Sequence, residues 1–255
     1  MQLVIDIGNT NVVFGVYDGK KLVESFRTTT RKELTDDEAG LSMTGFLDRY
    51  SIDIKTIKKI VIGSVVPPLT RCYKNASLKY LKNCSVIIVS HELNLPVTLE
   101  FDQPHQIGAD RIANAVAGFL TYGGPVIVVD FGTATTFDVI NKKGAYIGGI
   151  IIPGPMTSMA ELAKKASRLF EVSFEKPEHV VGKSTTEALK SGLFHGTIGQ
   201  IDYIIKLIIE ESNFKNCKVI ATGGLSTGIE NHSQYITETS PNLTLDGLRI
   251  IGEGN

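Results

Sequence analysis

Cysteine is scarce in this chain of 255 residues. The three present, Cys72, Cys84 and Cys217, are odd in number, scattered, and without CxxC or His-rich spacing. That excludes a disulfide framework and a zinc-ligand pattern, and points to free thiols in a reducing compartment. An excess of one charge is also missing, since 26 Lys+Arg stand against 27 Asp+Glu for a formal net charge of -1. A nucleic-acid binder working through a basic field is therefore not expected. No uncharged apolar stretch approaches the ~18 residues of a membrane span, and the opening MQLVIDIGNT carries no basic n-region. What is present is ordinary for a globular protein, 42% hydrophobic and 21% charged. At about 150 residues per domain, the length suits one large domain or two modest ones. The expectation is a soluble, cytoplasmic, globular protein with no nucleic-acid or membrane partner.

Short runs rich in Val and Ile punctuate the chain: Leu3 to Ile7, Val12 to Tyr17, Ile60 to Ile62, Val86 to Val89, Val126 to Val129, Phe137 to Ile140, Tyr146 to Ile152 and Lys218 to Ala221. Their length and β-branched content predict buried strands. Between them lie helical patterns with start signals. Thr35-Asp36-Asp37-Glu38 and Ser184-Thr185-Thr186-Glu187 read as capping boxes, and Asp110 to Leu120 has helical apolar spacing. Strands alternating with helices predict an α/β fold. Three clustered N-terminal strands turn at Gly8-Asn9 and Asp18-Gly19, so hairpins and a mixed sheet are expected.

The most informative feature is an internal repeat. LVIDIGNTNVVFGVYDGKKL near the start resembles VIVVDFGTATTFDVINKKGAY in the middle, with Asp6 aligning to Asp130 and Gly8 to Gly132. In both copies a strand ends in Asp-x-Gly, a small polar run follows, then a second strand and a glycine turn. The same grammar recurring about half a chain later predicts two duplicated domains, residues 1–114 and 115–255.

Each copy carries a candidate anion site. In Asp6-Ile7-Gly8-Asn9-Thr10-Asn11, a glycine turn after a strand lets backbone N–H groups approach phosphate, and the carboxylate could hold a hydrated Mg²⁺. Asp130-Phe131-Gly132-Thr133-Ala134-Thr135-Thr136 repeats the device with three hydroxyls. Two such turns would suit a triphosphate, because phosphoryl transfer needs positioning and charge neutralisation. The plainer alternative is a pair of hairpin turns. Further on, the strand ending Ala221-Thr222-Gly223-Gly224 offers side-chain-free backbone to a ring or ribose. Gly108-Ala109-Asp110-Arg111 opens a helix. There Asp110 could accept a hydroxyl proton and Arg111 could fix a carboxylate, although an Asp in a first turn also answers the helix dipole. His105 and His195 have no metal-ligand spacing and read as surface or packing residues. The run Tyr203 to Ile209 exceeds one apolar stripe, which predicts burial against a partner.

The two Asp-x-Gly turns and the later glycine pair resemble, in this order, the nucleotide site shared by acetate and sugar kinases, actin and the heat-shock ATPases. With Gly-Ala-Asp-Arg-Ile-Ala-Asn, Gly-Lys-Ser-Thr, the stretch Gly148 to Pro155, and Ser191 to Gly196, the resemblance narrows to type III pantothenate kinase over nearly the whole chain. It implies duplicated actin-like (ribonuclease H-like) α/β domains with mixed sheets and an interdomain ATP cleft. It also implies transfer of the ATP γ-phosphate to pantothenate, the first step of coenzyme A synthesis, by a homodimer. By position it assigns Asp6, Ile7, Gly8, Asn9, Thr10, Asn11, Val12, Val13, Thr133, Gly223 and Gly224 to ATP. Phe101, Gly108, Ala109, Asp110, Arg111 and Thr185 fall to pantothenate, with Asp110 as general base. Asp130 matches the ligand of a monovalent cation, K⁺ or NH₄⁺, and Mg²⁺ accompanies ATP. Thr185 also has a structural job in its capping box. Phe101-Asp102-Gln103-Pro104 stands where the family commonly has Tyr-x-Asn-Pro, so an aromatic ring remains without its hydroxyl. Another small-molecule kinase of the superfamily, or an ATP-binding regulator, are the alternatives.

Overall fold

The computed structural model describes residues 1–255. The chain forms two compact units, Met1–Leu120 with Leu243–Asn255, and Thr121–Asn242. The seam falls at residue 120, within the same helix as the expected boundary at 114. The last segment, expected in the second domain, belongs to the first unit.

In the first unit, β1 (Gln2–Ile7), β2 (Asn11–Asp18) and β3 (Lys21–Thr29) are joined by hairpins, followed by α1 (Asp36–Arg49), β4 (Lys59–Ser64), α2 (Pro67–Tyr80) and β5 (Ser85–Ile88). A two-residue strand, β6 (Thr98–Leu99), precedes α3 (Ala109–Tyr122). The sheet runs β3-β2-β1-β4-β5, antiparallel through the hairpins and parallel from β1 onward. β1 is buried on both faces, which is why its apolar residues run on without alternating. Leu3, Ile5 and Ile7 join Val12 and Phe14 in a core with Met43, Phe46 and Leu47 of α1 and Leu69 and Tyr73 of α2. On the sheet's other face packs α7 (Leu243–Gly254), with Leu245 reaching Gly15 and Leu248 reaching Gly63. The Thr35 capping box forms as expected, with both reciprocal bonds present.

The second unit contains β7 (Val126–Phe131), β8 (Ala134–Ile140), β9 (Ala145–Pro153), α4 (Pro155–Lys165), α5 (Thr185–Glu211), β10 (Lys218–Gly223), the single-turn α6 (Ser226–Ile229) and β11 (Glu238–Thr239). Its strands follow the order β9-β8-β7-β10-β11, the topology of the first sheet, with the same antiparallel and parallel pairings. Even the irregularity repeats. The β2–β3 register shifts between Val16 and Tyr17, and the β8–β9 register shifts between Val139 and Ile140. Along α5, Ile201, Ile205 and Ile208 face the core, while Tyr203 is 61% and Leu207 43% exposed. The apolar run expected to exceed one stripe thus buries one face and leaves the other open. No helix is long and apolar enough to cross a membrane.

Candidate active site

The first turn closes where β1 gives way to β2. The Gly8 N–H donates to Asn11 O at 2.9 Å, leaving Asn9 and Thr10 exposed at the tip. Thr30, just past β3, braces this turn twice. Its N–H donates to Thr10 O at 2.9 Å and its hydroxyl to Gly8 O at 2.7 Å. With those carbonyls engaged, they are turned toward Thr30, and an anion at the tip meets backbone N–H groups. Asp6 and Ile7 are half-buried and buried, as expected for the last residues of a central strand.

Asp110 stands close to this turn through two contacts within the first unit. The Val65 N–H donates to Ile7 O at 3.0 Å, extending the β1–β4 ladder past its end. Val65 in turn lies against Gly108, the residue before α3. A Cβ at Gly108 would overlap the Asp110 Oδ1 and press on Val65 Cγ1, so this glycine is required by the inward-turned carboxylate. The Arg111 backbone N–H donates to Asp110 Oδ1 at 2.8 Å. Burial nevertheless pushes the Asp110 carboxyl above the ordinary carboxylate value, against that hydrogen bond and the Arg111 charge, which pull it down. A carboxyl whose proton affinity is raised by burial, held by backbone and beside a phosphate-type turn, is suited to accept a proton.

In the second unit the Gly132 N–H donates to Ala134 O at 3.1 Å, repeating the first turn with one residue fewer. Thr133 O accepts from the Gly154 N–H at 3.0 Å and from the Thr157 hydroxyl at 2.7 Å. Gly154 therefore occupies the place of Thr30, and Thr157 supplies the hydroxyl that glycine lacks. Thr133 itself is exposed at the tip. β10 ends beside Asp130. Gly223 has φ of +86°, a Cβ there would lie 2.5 Å from Asp130 Oδ1, and the Gly224 N–H donates to Phe131 O at 3.1 Å. The glycine pair expected to offer bare backbone to a ring or ribose thus also makes room for the Asp130 carboxylate. Thr222 pairs with Asp130 in register, and its buried hydroxyl oxygen makes no hydrogen bond. An oxygen-only donor pair of this kind fits a hard cation.

A scan of protein-family models matches residues 2–207 to the type III pantothenate kinase family. The chain belongs to that family. A protein from Geotalea daltonii named type III pantothenate kinase is 44% identical over 255 residues, covering 100% of this chain and 99% of its own. Among solved structures, one titled a putative 2-dehydro-3-deoxygalactonokinase from Sinorhizobium meliloti superposes with a TM-score of 0.58 at 11% identity, covering 98% of this chain and 95% of that one. It shows a shared sugar-kinase-type fold, duplicated ribonuclease H-like units with mixed sheets. A structure titled a putative Baf family transcriptional activator from Campylobacter jejuni gives 0.52 at 25% identity, covering 98% and 95%.

Within the family's segments the structure brings Asp6 to Val13 together with Gly108 to Arg111 in the first unit, and Asp130 and Thr133 together with Gly223 and Gly224 in the second. Phe101 is half-buried, between β6 and a short 3-10 turn at Pro104–Gln106. Thr185 lies exposed at the first residue of α5 in the second unit, so nothing within one unit joins it to Asp110. Its capping box differs from the expected form. Ser184 Oγ accepts from Glu187 N–H at 3.2 Å, but the Glu187 carboxylate accepts from Lys183 N–H at 2.7 Å. His105 faces His91 at 6.3 Å between ring centroids, and His195 packs on Phe194 at 5.4 Å. Thr30 and Thr157 are not among the expected site residues, and Thr222 lies in the quoted Ala221–Gly224 strand end without an expected role of its own. Continuing the repeat alignment to the end of the third strand would have found the Thr30–Gly154 equivalence.

Proposed function

We propose that this chain transfers the γ-phosphoryl group of ATP to the primary alcohol of pantothenate, giving ADP and 4'-phosphopantothenate at the start of coenzyme A synthesis. The observation that carries the reading is Asp110, a half-buried carboxylate of raised pKa opening α3 next to the β1 turn, in a chain of this family. As the alcohol oxygen attacks phosphorus in line, its proton passes to Asp110 while the bond to the ADP oxygen breaks. Arg111 answers the pantothenate carboxylate, and Phe101, Gly108, Ala109 and Thr185 complete the acceptor's surroundings. The residues proposed for ATP are 6–13, Thr133, Gly223 and Gly224.

Asp6 would hold the Mg²⁺ that accompanies ATP, and Asp130 with Thr222 a monovalent cation, K⁺ or NH₄⁺. Such cations neutralise phosphate charge. The orphaned Thr222 hydroxyl supports that assignment. The open face of α5 at Tyr203 and Leu207 supports a homodimer, and the free thiols support a cytoplasmic setting.

The test is ADP release with Mg²⁺-ATP, with and without pantothenate, in K⁺ and then in Na⁺ buffer. Turnover that needs both pantothenate and K⁺ is expected, and Asp130→Ala should lose the K⁺ stimulation. Turnover with another acceptor only would move the function to another kinase of the same fold. ATP binding without turnover would make the chain a regulator.

A further inference from the structure

A cavity of about 160 Å³ lies behind the first turn, within the first unit. Its wall includes Val12 of β2, Thr28 and Thr29 of β3, Arg31, Ser42 of α1 and Tyr73 of α2. Tyr73 is only 1% exposed, and its hydroxyl hydrogen-bonds no protein group. The Arg31 guanidinium likewise has no ion pair or hydrogen bond, and neither do the side-chain hydroxyls of Thr28, Thr29 and Ser42. The Tyr73 ring is buried, so its hydroxyl presents a fixed donor to an occupant of the cavity that can accept.

The chemistry of that occupant follows from the wall. The polar side chains named can all donate, and no carboxylate lines the space; of the consecutive Thr28 and Thr29, Thr28 is half-buried on one face of β3 and Thr29 is exposed on the other. Burial pushes the Tyr73 hydroxyl up to about 12, with the Arg31 charge pulling the other way, so it stays a donor at neutral pH. The acids facing this corner are engaged elsewhere. The Glu38 carboxylate, which feels the Arg31 charge, accepts from the Thr35 N–H and hydroxyl at 2.9 Å, and Asp36 accepts from Asn75 Nδ2 at 3.0 Å. The volume suits one small anion with a water and is below the ~300 Å³ at which sites for larger ligands begin.

We propose that this cavity binds a small oxyanion, inorganic phosphate or a short carboxylate, held by Arg31 and Tyr73 behind the phosphate turn. The site adjoins the turn directly. Asn11 pairs with Thr29 and Val12 with Thr28 in the β2–β3 ladder, and the next residue, Thr30, braces Gly8 and Thr10. An anion that fixes the end of β3 therefore stiffens the turn without occupying its tip.

Calorimetric titration of the full chain with inorganic phosphate, and separately with acetate, tests this, each with and without a saturating non-hydrolysable ATP analogue and Mg²⁺. One site per chain is expected, retained when the analogue is bound, and whichever anion binds identifies the source. Arg31 is exposed, so Arg31→Gln folds, and it should weaken binding about tenfold or more through loss of a charge-assisted hydrogen bond. Tyr73→Phe, which keeps the packing, should weaken it severalfold. Absence of binding by both anions overturns the proposal, as does binding that the analogue abolishes, or equal binding by Arg31→Gln.

Discussion

Asp110 joins two properties that oppose each other. Its carboxyl is turned inward far enough to be raised by burial, yet catalysis needs it ionised before the alcohol arrives. Asp110→Asn should lower kcat by about 10²–10⁴-fold with a smaller change in the KM for ATP, the range for loss of a general base. Unchanged turnover would remove Asp110 from the mechanism. The pH dependence has a definite sign. The folded carboxyl binds its proton more tightly than the unfolded one, so its contribution to stability falls as pH rises through the ordinary carboxylate value toward the raised folded one. At pH 7 Asp110→Asn should therefore melt at a higher temperature than the parent, the gap closing in acid. The acid limb of the kcat/KM profile should also lie above the ordinary carboxylate value. Gly108→Ala probes the same carboxylate by geometry. A methyl there must displace Asp110 Oδ1, and displacement of about 1 Å costs on the order of 10²-fold in rate.

At the scale of elements, the repeated unit is strand, turn, strand, hairpin, strand, with a hydroxyl after the third strand that braces the turn. Thr30 does this directly, and Thr157 does it from the first helical turn of α4. Thr30→Val keeps the shape but leaves Gly8 O without its hydroxyl donor. A net hydrogen bond is worth about 1 kcal/mol, so the KM for ATP should rise roughly fivefold with kcat less affected. A fall in kcat alone would show that the brace serves the reacting atoms, not the nucleotide. The strands of this unit were legible in the sequence, since β-branched runs bounded by Gly and Asp leave little else for the backbone to do. The braces were not, because they join residues some twenty positions apart whose proximity depends on the β2–β3 and β8–β9 registers.

For the whole molecule, the consequential feature is the return of the final helix to the first unit. α7 covers the face of β1 and β4 opposite α1 and α2, and Gly247 lies against the backbone of Ala113 in α3. Gly247→Ala would drive a methyl into the Ala113 carbonyl, where backbone cannot yield cheaply. Overpacking of this sort costs about 1–3 kcal/mol or more. The variant should melt several degrees lower, and equal stability would show that α7 can slide on α3. Tyr17 adds a polar tie to the same helix, donating to Asp246 at 2.9 Å with the Arg249 guanidinium 5.6 Å from its ring.

Sequence by itself determined the alternation of strands and helices, the duplication, the two Asp-x-Gly turns and the family. Each of these rests on residues close together in the chain, or on their repetition, and local sterics and hydrophobic pattern suffice to express it. Only the tertiary structure decided that α7 belongs to the first unit and that Gly108 and Gly223 make way for carboxylates. The same holds for the placement of Thr222 beside Asp130 and for the cavity wall that draws Arg31, Ser42 and Tyr73 from three separate segments. Those facts depend on which distant backbones are brought into contact, and close packing, not any single segment's preference, settles that.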